Sequence, residues 1–366
     1  MKQYKIGVVG FAHMHITHLV DTLFELADRV VFTGLYDPAP AVATLTDQGG
    51  NRHRNVAKIA EQTGAPVLDS IEAVLGTQPD LVVVCSENAR HAEICSQILL
   101  RGIHVLVEKP MAPTMQQAYA MARAAQLGGA RLFINWPSTW MPVVRTAERL
   151  VREGRIGKPF RFHYRNYSSL GPFSYGQTLT DREKSVEWWH QDFTGGGATM
   201  DYCCYGACLA RWMLDSEPIA AYGVRANFAH QFSSGDDYGT ITAQFPEAVA
   251  IVEGSWTTVH PGVPNGPIIS GLEGTLVADT DADEVRLFNQ YHGKDAPEAV
   301  AADPLPEGRE TIGKEVIHCL DTGDAPHPTL DLPVNLGAMM LLDAGIRSAK
   351  SGMREQTGSA VYTIGE

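Results

Sequence analysis

The chain has 366 residues, which suits about two domains of ordinary size, and 44% of them are apolar, close to the share usual for soluble globular proteins. A formal net charge of −13 argues against a general nucleic-acid binder and against attraction to an anionic membrane surface. The six cysteines are too sparse for a disulfide framework, and there is no apolar run of about 18 residues and no apolar leader, so a cytoplasmic protein is expected.

Lys5–Gly10 reads KIGVVG, a short β-branched run ending in glycine, and Ile16, Leu19, Val20, Leu23 and Leu26 then fall on one helical stripe. Val30–Tyr36 is the next strand, closed by Asp37-Pro38. Helical segments follow at Val56–Gln62 and Ser70–Leu75, a strand at Asp80–Cys85, a helix at Ala89–Leu100 and a strand at Ile103–Val107. Met115–Leu127 reads as helix and Arg131–Ile134 as strand. Continuous apolar strands alternating with helices predict a parallel sheet covered on both faces. The pattern then changes. After a helix over Val143–Glu153, strand-like runs at Phe160–Tyr167, Ala220–Phe228, Gly239–Phe245, Ala248–Thr257 and Thr275–Asp279 have hairpin-like spacing, with helices at Tyr205–Leu214 and Val334–Lys350. Asp295–Arg309, rich in Ala, Pro and acidic residues, reads as a surface loop. The fold class is α/β: an N-terminal Rossmann dinucleotide-binding domain (1–130), then an α/β domain with a large, mostly antiparallel open sheet (131–366). The last helix is allowed to pack back on the first domain.

The first strand runs into Gly10-Phe11-Ala12-His13-Met14-His15, the place of a dinucleotide fingerprint. Gly10 fits the first glycine, which makes the tight turn. Ala12 and His15 stand where the second and third would be, so this turn alone is a weak signal. Asp37, at the end of the second strand, strengthens it, because a carboxylate there accepts hydrogen bonds from the adenosine ribose. No arginine or lysine follows closely to take a 2′-phosphate, so NAD is favoured over NADP. His13, His15 and His18 invite a metal reading. No carboxylate or cysteine completes a ligand set at metal spacing, and no metal is expected. The histidines suit the phosphate groups of the cofactor at the helix N-terminus instead.

Glu108-Lys109-Pro110-Met111-Ala112 ends the strand IHVLV. The segment DLVVVCSENARHAEICSQILLRGIHVLVEKPMA resembles the Gfo/Idh/MocA oxidoreductases, named after glucose–fructose oxidoreductase and inositol dehydrogenase. Asn135, REGRIGKP (Arg152–Pro159), GGGATMD (Gly195–Asp201) and the closing SAKSG follow in the family's order. The resemblance implies a catalytic or substrate-binding role for Lys109. It also implies cofactor contacts in the SEN turn (Ser86, Glu87, Asn88) and at Glu108 and Asn135. The family's second motif, usually D-x-G-x-H-x-x-D, appears here with Asp201 kept, Cys203 for glycine, Tyr205 for histidine and Cys208 for the last aspartate. Tyrosine at this place looks like a subgroup variant. His91 matches a family histidine and reads either as a contact to the cofactor ribose or as a turn cap.

The chemistry of these residues points the same way. Oxidising a secondary alcohol needs a group to take the hydroxyl proton. An ammonium at Lys109 beside Tyr205 would favour the phenolate, and Asp201 would orient the lysine or a substrate hydroxyl. The expected catalytic set is therefore Lys109, Asp201 and Tyr205, with Trp189 and His190 as further substrate contacts; Trp188 and Trp189 offer a flat surface to a ring. Cys204 and Cys208 read as small buried hydrophobes. The expected reaction is hydride transfer between NAD and a secondary hydroxyl of a sugar, polyol or related cyclic substrate. The rival readings are a glycosidase or lyase using NAD for transient oxidation and a non-catalytic nucleotide-binding regulator. A homodimer or homotetramer is expected, through the uncovered face of the second sheet.

Overall fold

The first apolar run becomes β1 (Tyr4–Val9), and the stripe after it becomes α1 (Ile16–Phe24). The structure, a computed structural model, describes residues 2–40, 42, 44–45, 51–169, 171–173, 179–260, 262–289 and 296–358. β2 (Val30–Tyr36), α2 (Arg52–Thr63), α3 (Ile71–Gly76), β3 (Leu81–Val84), α4 (His91–Leu99), β4 (His104–Glu108), α5 (Met115–Gly128) and β5 (Leu132–Asn135) follow. The strands form a parallel sheet in the order β2-β1-β3-β4-β5. Val82, Val83 and Val84 are all fully buried, as a strand sandwiched between helix layers requires. Side-chain caps start the helices: Asn51 accepts from His53 N, Ser70 from Ala73 N and Thr114 from Gln117 N. The order reverses between β1 and β3, and the carboxyl ends of β1, β3 and β4 bring Gly10, Ser86 and Lys109 to one edge. Open α/β sheets bind ligands at such a switch point.

The second half opens with α6 (Pro142–Arg152) and β6 (Pro159–Tyr167), then α7 (Asp181–Val186) and α8 (Cys204–Met213). β7 (Ala220–Ala226), β8 (Tyr238–Gln244), β9 (Val249–Ser255), β10 (Ile268–Gly271), β11 (Thr275–Asp279), β12 (Glu284–Phe288) and β13 (Glu298–Ala301) come next, before α9 (Ile312–Thr322), α10 (Leu332–Ser351) and β14 (Glu355–Gln356). The sheet runs β13-β12-β11-β10-β6-β9-β8-β7-β14. Its neighbours are antiparallel except β6 and β9, which pair in parallel at the centre. The expected loop Asp295–Arg309 needs correction: Asp295 lies outside the described residues, and Glu298–Ala301 pairs with β12 as an edge strand. Helices α6, α8 and α10 lie against β11, β6 and β7. The opposite face leaves Tyr222, Val224, Val249 and Phe288 exposed.

After the second sheet the chain returns to the first. On α9, Ile312, Val316, Ile317 and Cys319 enter the core built by Ile6, Val8, Leu19 and Leu23. Asp321 accepts from Arg29 Nη2 at 2.6 Å and from the Tyr4 hydroxyl at 2.9 Å. The last helix, α10, packs on β7, α8 and α5, and Asp343 accepts from Met115 N.

Candidate active site

Gly10 leaves β1 with φ +88°, and a methyl there would lie 2.7 Å from Ser86 N. Only glycine meets both demands. Phe11 buries its ring in the core and offers its backbone instead: Phe11 N donates to Asp37 Oδ1 at 3.1 Å. Asp37 is not alone. Arg52, the first residue of α2, donates Nε to Asp37 Oδ2 and Nη2 to Asp37 Oδ1, each at 2.6 Å, and Nη1 to Glu87 Oε1 at 2.6 Å. Burial opposes the guanidinium charge, but the two carboxylates outweigh it. The expectation that no cation stands near Asp37 is thereby corrected: Arg52 is 15 residues away in sequence, and helix α2 folds it back onto the strand end.

At the ends of β3 and β4 the polar residues hold one another. His91 is fully buried; its Nδ1 lies 3.1 Å from Pro110 O and its Nε2 3.2 Å from Ser86 O, and the neutral ring that burial favours donates to one of these two carbonyls. Asn88 Nδ2 donates to Gly195 O at 2.8 Å, tying the SEN turn to the glycine triplet. Asn135 Nδ2 donates to Glu108 Oε2 at 2.8 Å.

Lys109 is 1% exposed, and its Nζ donates to Asp201 Oδ1 at 2.5 Å and to Asp201 O at 3.1 Å. Burial disfavours the ammonium, but Asp201 more than offsets it and holds the Lys109 pKa well above the ordinary lysine value. Asp201 sits in a single π-helical turn, Thr199–Cys203, just before α8, and its other oxygen accepts from Trp256 Nε1 at 3.3 Å. Such wide turns recur at functional sites. Tyr205 follows on α8. Lys109 Nζ lies over the face of its ring, 4.6 Å from the centroid, rather than at the hydroxyl. Burial pushes the Tyr205 phenol well above its usual value, and Lys109 offsets this only in part. The three expected catalytic residues therefore come together, but the expected phenolate does not follow from their geometry.

His13 and His15 meet Glu108. His15 Nδ1 lies 2.9 Å from Glu108 Oε1, His13 Nε2 lies 4.0 Å from the same oxygen, and the three ligand atoms fall within 4.8 Å of one another. The carboxylate that sequence spacing could not supply comes from β4. The set still does not suit a metal. His13 Nδ1 accepts from His15 N at 3.1 Å. In a neutral ring that leaves the proton on Nε2, the nitrogen that would have to bind the ion, whereas metal-bound histidines donate from their second nitrogen. Burial, reinforced by His15 and Lys109, holds the His13 pKa well below the usual histidine value.

Trp188 and Trp189 stack at 3.9 Å, and Trp188 Nε1 donates to Ala12 O at 3.1 Å, so this pair from the second half lies over the turn after β1. Trp189 borders two cavities. One, on the Arg52 side, is lined by Ala12, Thr44, Arg52, Glu87 and Trp188. The other, of about 220 Å³, is lined by His13, Met14, His15, Lys109, Asp201 and Tyr205, with Ser138, Tyr164 and Asn166 across from them. His190 borders neither cavity. Its ring packs among His230, Phe232 and Trp256, and burial, aided by His230 and Lys184, pulls its pKa down to about 3. Arg52, Tyr164, Asn166 and Ser138 escape sequence reading, since none belongs to a motif.

The residues fit a dinucleotide. Gly10 leaves bare backbone at the strand end, Asp37 closes β2, and the first turn of α1 carries no acidic side chain. Comparisons with known proteins agree. Residues 4–136 match the family model "Oxidoreductase family, NAD-binding Rossmann fold", and residues 144–277 match "GFO/IDH/MocA C-terminal domain". The chain is 28% identical over 176 residues to a D-xylose 1-dehydrogenase [NADP(+)] of Haloarcula marismortui, covering 47% of this chain and 46% of that protein. The matched stretch thus spans about half of that relative. A D-apiose dehydrogenase of Paraburkholderia graminis is 24% identical over 302 residues, 78% of this chain and 74% of the relative. The structure of an aldose-aldose oxidoreductase from Caulobacter crescentus complexed with glycerol shares the fold at TM-score 0.76 and 20% identity, over 97% of this chain and all of that one (100%). Motifs, two-sheet architecture and family models converge, and the chain belongs to the Gfo/Idh/MocA oxidoreductase family.

Proposed function

We propose that this chain is a dehydrogenase that transfers a hydride between a secondary hydroxyl of a sugar, polyol or related cyclic substrate and a nicotinamide cofactor, with NAD preferred. The observation that carries this reading is the Lys109 ammonium, buried against Asp201 on the wall of a cavity at the sheet's switch point. Asp201 takes two of its three protons, which leaves one to donate to a substrate oxygen. A fixed cation there stabilises the negative charge that grows on that oxygen as its proton leaves. When bound, the nicotinamide ring supplies the hydride acceptor or donor. Trp189 and Tyr205 offer flat apolar surface to a ring-shaped substrate.

The preference for NAD rests on charge. Asp37, Glu87 and Arg52 together carry a net −1, so a further phosphate at this place would meet an excess of negative charge. Calorimetric titration with NADH and NADPH tests it; equal or tighter NADPH binding overturns it. Turnover over a panel of aldoses, ketoses, polyols and inositols with both nucleotides tests the activity itself, and failure to reduce either nucleotide with any of them overturns the dehydrogenase reading. We also propose a homo-oligomer closed through the sheet face that carries Tyr222, Val224, Val249 and Phe288. Sedimentation as a monomer at micromolar concentration would overturn it. The sparse cysteines, all six of them buried and none disulfide-bonded, support a cytoplasmic setting.

A further inference from the structure

The dehydrogenase reading leaves open which group takes the hydroxyl proton. Lys109 is held as an ammonium by Asp201. Asp201 has one oxygen on Lys109 and the other on Trp256. Burial pushes the Tyr205 and Tyr164 phenols up. His13 faces the cavity region as an N–H donor, because its Nδ1 lone pair is taken by His15 N. Lys109 and the two phenols thus keep their protons, Asp201 has both carboxylate oxygens engaged, and His13 presents an N–H.

His15 differs from all of them. It lines the same cavity as Lys109 and Tyr205, and its side chain is 25% exposed. Its Nδ1 lies 2.9 Å from Glu108 Oε1. Burial works against ionisation of Glu108, but His15, Lys109 and Asn135 together hold its carboxyl below the usual range. An ionised carboxylate only accepts, so the proton of this hydrogen bond sits on His15 Nδ1 and the lone pair on Nε2. Two histidines two places apart are thus fixed in opposite tautomers: His13 as an Nε2–H donor, His15 as an Nε2 acceptor.

We propose that His15, oriented by Glu108, is the proton acceptor of the reaction proposed above. This rests on the dehydrogenase reading. The substrate O–H proton passes to His15 Nε2, the electron pair of the adjacent C–H bond leaves with its hydrogen as hydride to the nicotinamide, and the C–O bond becomes C=O. The resulting imidazolium keeps its Nδ1–H on the Glu108 carboxylate and releases the Nε2 proton at its exposed edge. In the reverse direction the same ring is the acid. The charged and titratable groups around it are Glu108 and Lys109 from the end of β4, His13 from the turn, Tyr164 from β6, and Asp201, Tyr202 and Tyr205 from the segment that opens α8.

The test replaces His15 with glycine, the residue a dinucleotide fingerprint carries at this place, and with glutamine as a second variant. Both should bind NADH within about threefold of wild type by calorimetry and lose about 100- to 10,000-fold in kcat, as removal of a general base does. Added imidazole should restore His15→Gly at least tenfold and leave His15→Gln unchanged. Ring ¹⁵N spectra of the nucleotide-free protein should show the Nδ1–H tautomer at His15, and Glu108→Gln should abolish that preference. Turnover within threefold of wild type in both variants, or an Nε2–H ring at His15, overturns the proposal while the dehydrogenase reading stands. An activity loss that tracks lost NADH affinity without imidazole rescue makes His15 a cofactor contact and also overturns it. A wild-type protein inactive over the whole panel overturns the dehydrogenase reading and this proposal together.

Discussion

Two buried cations stand on the same edge of the first sheet and are held in different ways. Lys109 faces one carboxylate, and that carboxylate comes from the second half of the chain, 92 residues away. Arg52 faces two, Asp37 and Glu87, both from the first half. The lysine pair is neutral and keeps one ammonium proton for a ligand, which suits an uncharged hydroxyl. The arginine cluster is net negative and spends its guanidinium on its own neighbours, which is the ground of the NAD preference proposed above. Both ends of this edge draw on the second half: Asp201 at Lys109, and Trp188 and Trp189 beside Arg52.

The largest effect should come from breaking the lysine pair. Lys109→Met leaves Asp201 buried without its cation, which costs roughly 3–5 kcal/mol when one partner of a buried pair is removed. Its kcat should fall by about 100- to 10,000-fold or more, since the donor to the reacting oxygen is lost as well. Denaturant unfolding should show Lys109→Met/Asp201→Asn to be more stable than Lys109→Met alone. If it is less stable, the neutral-pair reading fails.

The arginine cluster gives a smaller, signed effect. Asp37→Asn removes negative charge and should raise NADPH affinity relative to NADH about tenfold, a 1.4 kcal/mol change. Arg52→Gln should move the ratio the other way, because two carboxylates then remain unneutralised. Calorimetry on both variants checks this, and movement in the same direction would break the charge argument.

Acid should act through the histidines that burial keeps neutral, His13 beside Lys109 among them. Burial pulls His190 and His327 down to about 3, from an ordinary value of 6.5. Below about 6.5 the unfolded chain takes up these protons and the folded protein does not, so stability present above that pH is lost as pH falls toward 3. Thermal unfolding should show Tm falling through this window. His327→Gln should make the fall shallower, and an unchanged slope would exclude that histidine.

The smallest effect is expected at Tyr205. With Lys109 over the ring face, Tyr205→Phe keeps the cation–ring contact, which is worth about 0.5–2 kcal/mol. It should lower kcat less than about threefold. A loss of a hundredfold would restore the tyrosine as proton acceptor and remove His15.

How far the sequence carries this picture depends on how local each feature is. The five strands of the first sheet are mostly apolar runs, and the sequence places them nearly to the residue. Lys109 lies within the distinctive EKPMA, and Asp201 ends GGGATMD, so both stand out from the order of residues alone. Arg52 does not: it begins an ordinary polar helix, and only the return of α2 sets it on Asp37. Glu108 and His15 are 93 residues apart, and nothing in their spacing announces a pair. Phenolate chemistry at Tyr205 is reasonable from adjacency, but adjacency does not say whether an ammonium meets a hydroxyl or a ring face. The edge strand β13 is hidden by Ala, Pro and Glu, residues that edge strands tolerate better than central ones.

The return of α9 to the first sheet bears on how this protein divides into parts. Ile312, Val316, Ile317, Cys319 and Leu330 complete a core whose other buried members lie before residue 134. A fragment ending near residue 130 would open that core to water along α1, and one beginning at 131 would carry the missing side chains on a helix with nothing to cover. The unit that can be exchanged between relatives is therefore discontinuous: a swap of the nucleotide-binding half must bring along the segment around 312–330, or the graft loses its own interior.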